Sequence, residues 1–284
     1  MRLSTVRLPS PDSDALLTSA ARHEGDDLVL LPHEDVGALL ASGEDWHKRA
    51  AAAGGRRMPL NGVSLAPVVP HPNKIVCLGL NYATHIKEMG RPTPTHPTLF
   101  AKYDGSLVGA HDNVHMPAVS DDLDWEAELA VVIGRRARHV TRDEALDYVG
   151  GYTVVNDVTV RDWQHRTREF LSGKTFEATT PVGPSLVTAD ELPPGASGLA
   201  VGCKVDGHTM QKSNTSDLLF DVAAIVAYIS TIITLLPGDL IATGTPGGVG
   251  AGRDPKVFLR PGQQLVTFVE GVGELSNTVV KDRW

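Results

Sequence analysis

The sequence predicts a β-rich α+β fold. Many short apolar segments rich in β-branched residues are separated by turns, and the 284 residues include 28 glycines and 19 prolines to form those turns. Few stretches have helical periodicity, and strands do not alternate with helices as they do around a parallel sheet. We therefore expect one large strand-rich domain with a smaller unit attached.

Composition excludes several functional classes. The formal net charge is -8, so the chain lacks the basic surface that nucleic-acid binding needs. Residues 218–236 are apolar, but Asp221 and several hydroxyl groups predict a buried amphipathic helix rather than a membrane span. Cys77 and Cys203 form no CxxC motif and are expected to be free thiols. We expect a cytoplasmic protein without nucleic-acid or membrane partners, because no secretory signal is recognisable.

Residues 1–70 are predicted to form a small N-terminal α+β domain. Apolar segments at 3–8 and 28–31 indicate strands, and two short helical stretches follow. This region contains no cluster of catalytic residue types. A Gly-Gly-Arg-Arg turn and three prolines then mark a linker, so we place the main domain at residues 71–284.

The main domain opens with a predicted buried strand at residues 74–79, followed by a short helical segment at 81–90. In that helix His85 and Glu88 are three residues apart and share a face. They could form a surface pair, bind a metal, or act as a base whose imidazole the carboxylate orients. We favour the base, because other carboxylates are available for a metal.

The predicted central strand at residues 125–134 carries the strongest chemical signal. Its unbroken apolar run predicts burial on both faces. Glu126 and Glu128 at its head point to the same side, roughly 7 Å apart. Two ionised acids beside a core repel each other and lose hydration, which is unfavourable unless a cation or a shared proton relieves it. Solvated acids at an exposed strand end are the alternative.

Asp157 ends the next apolar strand, at residues 152–159. Taken alone, it could be a simple turn acid. Together with Glu126 and Glu128 it gives three carboxylates from two strands, an all-oxygen set suited to a hard divalent ion with open positions for a ligand. The sequence therefore predicts a divalent metal site formed by these three residues.

Potential hydrogen-bond donors follow Asp157 in the chain. Arg161 and Gln164 share one face of a helical segment, and Lys174 follows a glycine in a polar turn. Each of these residues taken singly is expected at the surface. Together they are the groups needed to hold an anionic ligand beside a metal.

A Gly-rich loop at residues 243–250 lies among the last predicted strands. Its glycines fit neither a P-loop nor a GxGxxG motif. Backbone amides around Gly244 and Thr245 could still bind a small carboxylate. The neighbouring strands are predicted at 199–205, 240–243, 257–259 and 264–269.

Six motifs, taken in chain order, resemble the fumarylacetoacetate hydrolase family, and more narrowly its acylpyruvate hydrolase-like members. The match covers roughly residues 70–280. The resemblance implies a rolled, mixed β-sheet domain. The motifs are GLNYATHIKE at 79–88, WEAELAVVIG at 125–134, NDVTVRDWQ at 156–164, GKTF at 173–176, MQKSNT at 210–215 and ATGTPGGVG at 242–250.

The resemblance also implies residue roles. Family members are usually homodimers with one Mg²⁺ or Mn²⁺ per subunit and no organic cofactor. Residues 103–105 replace the proline-containing lid sequence of the family, so Lys102 is not expected to act as a lid contact. The implied roles are metal ligation by Glu126, Glu128 and Asp157, a His85–Glu88 dyad, oxyanion stabilisation by Lys174, and substrate contacts from Arg161, Gln164, Gly244 and Thr245.

The expected reaction is hydrolysis of a carbon–carbon bond in a small 2,4-dioxo acid of the acylpyruvate or fumarylpyruvate type. The products would be pyruvate and a carboxylic acid, as in the catabolism of aromatic compounds. Oxaloacetate decarboxylation and isomerisation or decarboxylation of a 2-hydroxy-dienoate are alternatives, because they pass through the same enolate. A non-catalytic, metal-stabilised binding module is a third alternative.

Overall fold

The computed structural model describes residues 1–10, 16–88 and 92–282, without the side chains of His85 and Glu88. Strands dominate this part of the chain. In chain order they are β1 Arg2–Pro9, β2 Leu16–Glu24, β3 Asp27–Leu30, β4 Arg57–Pro59, β5 Ile75–Gly79, β6 Thr98–Lys102, β7 Leu107–Val108, β8 Val114–Met116, β9 Leu123–Asp124, β10 Ala127–Ile133, β11 Val149–Asn156, β12 Thr159–Val160, β13 Thr180–Thr188, β14 Ala200–Val205, β15 His208–Asn214, β16 Leu240–Ala242, β17 Gln264–Val269 and β18 Gly273–Lys281.

The α-helices are short. The longest of them covers the centre of the apolar segment at 218–236, and Asp221 caps it by accepting a hydrogen bond from the backbone N–H of Ala224. Among the described residues no helix is long and apolar enough to cross a membrane. The helices are α1 Val36–Ala41, α2 Trp46–Ala52, α3 Ala83–Glu88, α4 Arg161–Gln164, α5 Leu171–Lys174 and α6 Val222–Ile232.

Two sheets form the framework. The larger has the order β4-β3-β2-β1-β13-β11-β10-β16-β5-β6, with β7 paired to β13, and the smaller has the order β15-β14-β17-β18-β8. Most neighbours are antiparallel, but β16 with β5, β13 with β7 and β18 with β8 are parallel. The predicted β-rich, mixed-sheet α+β fold is confirmed.

Strand β10 is buried along its whole length because a core flanks each of its faces. Leu129, Val131 and Ile133 pack into a cluster that also contains residues of β14, β17 and α6. Ala130 and Val132 face the opposite way, into a cluster shared with α1 and α2. The alternation of successive side chains thus fixes which residues enter which core.

The first 70 residues extend the large sheet. Strand β1 pairs with β13, with Leu3 opposite Leu186, so the N-terminal strands continue the sheet instead of forming one of their own. The division of the chain at residue 70 stays a prediction. Both cysteines, Cys77 and Cys203, are free and buried, as expected from the sequence.

The strand predicted at residues 257–259 is not formed. This segment bonds to loops and strand ends: the N–H of Val257 donates to the carbonyl of Gly250, and that of Leu259 donates to the carbonyl of Leu123. Its hydrogen bonds therefore connect the Gly-rich loop to the residues just before the central strand.

His23 in β2 gives the N-terminal strands a pH-dependent stability. Its Nε2 lies 2.8 Å from Ser4 Oγ, which donates to the carbonyl of Pro184. Burial and the nearby positive charge of Arg2 lower the pKa of His23 from 6.5 to about 4. As the pH falls, His23 is therefore protonated in the unfolded chain before it is protonated in the folded protein. Its contribution to the free energy of unfolding is complete above pH 6.5 and is lost as the pH falls towards 4.

The free energy of unfolding should fall between pH 7 and pH 4.5 in both proteins. We expect this fall to be about 2 kcal/mol smaller in His23→Gln than in the wild type, allowing for partial solvent exposure of His23. Urea unfolding of the wild type and the variant at both pH values measures this difference. His33→Gln, a substitution in the loop after β3, is the control. Equal pH-dependent losses in wild type and His23→Gln would contradict the assignment.

Candidate active site

Pairing of β10 with β11 brings the three predicted carboxylates together. The strands are antiparallel with Ala127 opposite Asn156, so the head of one lies against the tail of the other. The N–H of Asp157 donates to the carbonyl of Glu126 over 2.9 Å. Carboxylate oxygens of Glu126, Glu128 and Asp157 all lie within 4.8 Å of one another, and all three residues are buried. This donor set can hold a hard divalent cation.

Lys174 bridges two of these carboxylates. Its Nζ lies 2.7 Å from Glu126 Oε2 and 2.6 Å from Asp157 Oδ2, and the residue is only 2% exposed. Burial opposes its charge, but the two carboxylates raise the pKa of Lys174. The surface position expected for Lys174 from its local sequence is wrong, because the side chain at the end of α5 is directed towards the buried carboxylates.

Lys102 provides a second ammonium group, which the sequence did not single out for the metal site. It ends β6, and its Nζ lies 2.6 Å from Asp157 Oδ1 and 3.2 Å from the carbonyl of Val158. Each carboxylate oxygen of Asp157 therefore accepts a hydrogen bond from a different lysine. This contact was difficult to predict from the sequence, because Lys102 lies 55 residues before Asp157 in the chain.

Glu128 is the carboxylate without a cationic partner among the described residues. Its Oε2 accepts a hydrogen bond of 2.7 Å from the N–H of Gly244. Burial, followed by the charges of Asp157 and Glu126, raises the pKa of Glu128 well above its ordinary value. For Glu126, burial acts in the same direction, but Lys174 and Arg161 outweigh it and lower the pKa. Glu128 is therefore the member of this pair whose ionised form is the less stabilised by its surroundings.

Arg161 connects Glu126 of the triad to Asp124 and Gln164. Its Nη1 lies 2.7 Å from Glu126 Oε1 and 2.9 Å from Gln164 Oε1, and its Nε lies 2.7 Å from Asp124 Oδ2. Among the described residues its buried Nη2 has no hydrogen-bond partner. Arg161 and Gln164 are both buried, so the surface positions expected for them singly are wrong. Their predicted proximity to the carboxylates is observed.

Asp124 is a buried residue that the sequence analysis missed. One oxygen accepts from the N–H groups of Trp125 and Gly250, and the other from the N–H of Ala251 and from Arg161 Nε. It therefore holds the Gly-rich loop against the arginine. The signal in the sequence was weak, since Asp124 belongs to an acidic run that leads into the central strand.

The Gly244–Thr245 turn is held in place by the central strand. The left-handed backbone of Gly244, with φ of 103°, leaves no room for a side chain, because a Cβ there would lie 2.8 Å from Asn81 Cβ. Its amide donates to Glu128, so a contact of this amide with substrate stays a prediction. Thr245 Oγ1 lies 3.1 Å from the carbonyl of Ala127 and accepts from Gln211 Nε2 over 2.8 Å.

A cavity of about 400 Å³ opens beside Glu126 of the triad. Five predicted site residues line it, namely Glu126, Arg161, Gln164, Lys174 and Thr245. Phe100, Phe170 and Arg253 also line it. The side chains of His85 and Glu88 lie outside the described residues, although α3 places their backbone directly after the loop that follows β5.

A sequence model of the fumarylacetoacetate hydrolase C-terminal domain matches residues 74–280. The chain belongs to the fumarylacetoacetate hydrolase family. Relatives of this family perform different reactions. Rat mitochondrial oxaloacetate tautomerase Fahd2a is 41% identical over 234 residues, which cover 82% of this chain and 74% of the relative.

Two solved structures of the family show the same fold. The 2-hydroxyhepta-2,4-diene-1,7-dioate isomerase from Mycobacterium marinum is 32% identical with a TM-score of 0.79, and the alignment covers 100% of both chains. The maleylpyruvate hydrolase from Sphingobium sp. SYK-6 is 30% identical with a TM-score of 0.79 and covers 99% of this chain and 100% of its own. Family membership therefore indicates an enzyme of hydrolase or isomerase type without selecting one reaction.

The buried charges of this family member favour an anionic ligand once a cation is bound. Four carboxylates and three cationic side chains are buried together, which leaves one net negative charge when all are ionised. A divalent cation would reverse that sign. The set consists of Asp124, Glu126, Glu128, Asp157, Lys102, Lys174 and Arg161.

Proposed function

We propose that this protein hydrolyses a carbon–carbon bond in a 2,4-dioxo acid, releasing pyruvate and a carboxylic acid. The observation that carries the proposal is the cavity at which Glu126 of the triad, Lys174 and Arg161 meet. It combines a metal-ligand set with fixed cationic donors, and a dioxo acid needs both, since it has a carboxylate and two carbonyl oxygens. A homodimer and Mg²⁺ or Mn²⁺ remain part of this proposal.

The chain's own residues provide binding and charge stabilisation. Arg161 Nη2, which has no hydrogen-bond partner in the described part of the chain, is assigned to the carboxylate or 2-oxo oxygen of the pyruvate end. Lys174 is a rigid ammonium at the cavity wall, suited to stabilise an oxyanion at the distal carbonyl. A divalent cation held by Glu126, Glu128 and Asp157 would supply Lewis-acid stabilisation of developing negative charge.

The hydrolytic step requires a base for water. We assign this role to His85, oriented by Glu88, on the strength of the family pattern and the spacing on α3. The oxygen of water bonds to the distal carbonyl carbon, and its proton passes to the imidazole. The bond between that carbon and the methylene group then breaks, and the methylene carbon keeps the electron pair until it is protonated to give pyruvate.

Keto–enol tautomerisation of oxaloacetate is a second candidate, favoured by the 41% identity to the rat tautomerase. That reaction moves a proton between carbon and oxygen and consumes no water. It needs the same anion-binding cavity, but no attack on a distal carbonyl. The two candidates therefore differ in their products rather than in their binding groups.

Product analysis separates the two candidates. We expect purified protein with acetylpyruvate and Mg²⁺ to yield acetate and pyruvate in equal amounts, and excess chelator to abolish the reaction. Oxaloacetate, followed in parallel by its enol absorbance and by release of CO₂, tests the alternatives. Rapid loss of the oxaloacetate enol without acetate from acetylpyruvate would replace the hydrolase with the tautomerase.

A further inference from the structure

Gln211 is a buried side chain that connects the two sheets and uses all of its hydrogen-bonding positions. It lies on β15 of the smaller sheet and is 1% exposed. Its Oε1 accepts from the N–H of Ala127 over 2.9 Å and from the Cys203 thiol over 3.3 Å. Its Nε2 donates to Thr245 Oγ1 and to the carbonyl of Pro246, each over 2.8 Å. A primary amide has two acceptor and two donor positions, so these partners fix a single orientation of the side chain.

The Thr245 hydroxyl continues this chain of hydrogen bonds. Because Gln211 Nε2 can only donate, Thr245 Oγ1 accepts from it and directs its own proton to the carbonyl of Ala127, 3.1 Å away. Gln211 and Thr245 thus bind the N–H and the C=O of the same residue. The pairing of β16 with β10 covers residues 130–132. At the head of β10, these two side chains take the place of a neighbouring strand.

Ala127 is the residue between the two glutamates of the triad. Its N–H belongs to the peptide unit shared with Glu126, and its C=O belongs to the unit shared with Glu128. Holding both peptide units restricts the two backbone dihedrals of Ala127, which set the separation and relative direction of the glutamate side chains. Mg²⁺ requires a near-ideal octahedral geometry with oxygens at about 2.0–2.1 Å, so a small rotation at Ala127 would move one ligand from its bonding distance.

A second buried amide holds the same segment. Asn156 Oδ1 accepts from the N–H of Glu126 over 2.8 Å, and its Nδ2 donates to Thr267 Oγ1 on β17 over 2.8 Å. Asn156 belongs to β11, which already pairs with β10 along its length. Gln211, in contrast, belongs to an edge strand of the smaller sheet. It therefore provides a constraint that the strand pairing of the large sheet does not supply.

We infer that Gln211 is a positioning residue for the metal site. It holds Glu126 and Glu128 at the separation that a divalent cation requires, and it thereby sets the affinity of the triad for that cation. This inference rests on the divalent cation of the proposed function. The effect is transmitted through the backbone of Ala127, because the Gln211 amide contacts that backbone and not the carboxylates.

Titration with Mn²⁺, followed by electron paramagnetic resonance, tests the inference without substrate. Gln211→Met keeps an unbranched side chain of similar length and removes all four hydrogen bonds. We expect this variant to bind Mn²⁺ about tenfold to a hundredfold more weakly than the wild type. The spectrum of the bound Mn²⁺ should also change, because its line shape depends on the ligand arrangement. If Gln211→Met does not fold, Gln211→Asn replaces it, since its shorter amide cannot reach all four partners, and the same weakening is expected.

The matched control is Gln264→Met. Gln264 lies on β17 of the same sheet, and its side chain bonds to Ser276 and Thr278 of β18. This variant should bind Mn²⁺ with wild-type affinity. A Gln211→Met protein that unfolds at a lower temperature but keeps the wild-type affinity and spectrum would show a purely structural role and overturn the inference. Equal losses of affinity in Gln211→Met and Gln264→Met would overturn it as well.

Thr245→Val tests whether the effect passes through Ala127. This substitution removes the hydrogen bond to the Ala127 carbonyl and should also weaken Mn²⁺ binding. The double variant of Gln211→Met and Thr245→Val should bind Mn²⁺ little more weakly than Gln211→Met alone, because both changes release the same residue. Fully additive losses of affinity would contradict the inference.

Mn²⁺ binding separates the inference from the proposed reaction, because it requires no turnover. A protein that fails to hydrolyse acetylpyruvate but shows Gln211-dependent Mn²⁺ affinity supports the inference alone. Hydrolysis of acetylpyruvate together with equal Mn²⁺ affinities of wild type and Gln211→Met supports the proposed reaction and overturns the inference. A wild type that binds no Mn²⁺ would overturn the inference together with the metal site of the proposed function.

Discussion

Glu128→Gln is expected to eliminate metal-dependent turnover while leaving the metal-free protein at least as stable as the wild type. Glutamine keeps the shape of the side chain and can still accept the hydrogen bond from the N–H of Gly244. It removes the one triad carboxylate that has no cationic partner among the described residues. The loss of a charged ligand should weaken Mg²⁺ binding and reduce turnover by at least about 100-fold.

The expected gain in metal-free stability follows from the raised pKa of Glu128. An acid with a raised pKa holds its proton more tightly in the folded protein than in the unfolded chain, so this group opposes folding increasingly as the pH rises above 4.5. An amide resembles the protonated acid and has no such pH dependence. The stabilising effect should therefore be larger at pH 8 than at pH 5.

Thermal unfolding with chelator and with Mg²⁺ measures both parts of this prediction. The wild type should gain stability from Mg²⁺, and Glu128→Gln should gain little. Glu126→Gln is the informative comparison, because Glu126 neutralises Lys174 and Arg161, and its loss should lower the metal-free stability. Glu274→Gln, at an exposed position of β18, controls for the substitution itself. A destabilised, chelator-treated Glu128→Gln protein would contradict the charge assignment.

The grouping of the three carboxylates was predictable because its signals are local. Alternation along one strand places Glu126 and Glu128 on the same side, and the apolar run after them indicates that this side is buried. Asp157 follows from the end of a second apolar strand. Antiparallel pairing of these consecutive strands then needs no long-range information, and the family motifs indicate the same residues.

The surroundings of the triad were less predictable, because they depend on contacts between distant segments. Lys102 reaches Asp157 across 55 residues of sequence, and Gln211 accepts from the N–H of Ala127 across 84. Asp124 and Arg253 are joined to the site by backbone hydrogen bonds, which leave no pattern of side-chain types. Local reasoning placed Lys174 at the surface, since a polar turn does not reveal which side chain is directed inwards.

The continuous large sheet illustrates the same limit. The Gly-Gly-Arg-Arg turn after residue 53 and the three prolines that follow it indicate a linker between two units. The pairing of β1 with β13 joins them through residues that are 183 to 185 positions apart, with Leu3 opposite Leu186 and Arg2 opposite Val187. Strand periodicity identifies each partner as a strand but does not select which strands pair.

Lys174→Met is expected to have the opposite effect to Glu128→Gln on the metal-free protein. Its ammonium group neutralises Glu126 and Asp157 over distances of 2.7 and 2.6 Å. Methionine retains the apolar stem but leaves these buried carboxylates short of one cation, which should cost about 3 kcal/mol in the free energy of unfolding. The midpoint of thermal unfolding should fall by roughly 5–10 °C in the presence of chelator.

A divalent cation should rescue much of that stability in Lys174→Met, because it neutralises the same oxygens that the ammonium group contacts. Mg²⁺ should therefore raise the unfolding midpoint more in this variant than in the wild type, whereas turnover stays about 100-fold lower because the cavity has lost a donor for the oxyanion. Lys204→Met, at an exposed position of β14, is the matched control. If Mg²⁺ raised the unfolding midpoint equally in the wild type and in Lys174→Met, the ammonium group and the metal would not share the triad. Normal turnover in Lys174→Met would show that Lys174 has no role in the proposed reaction.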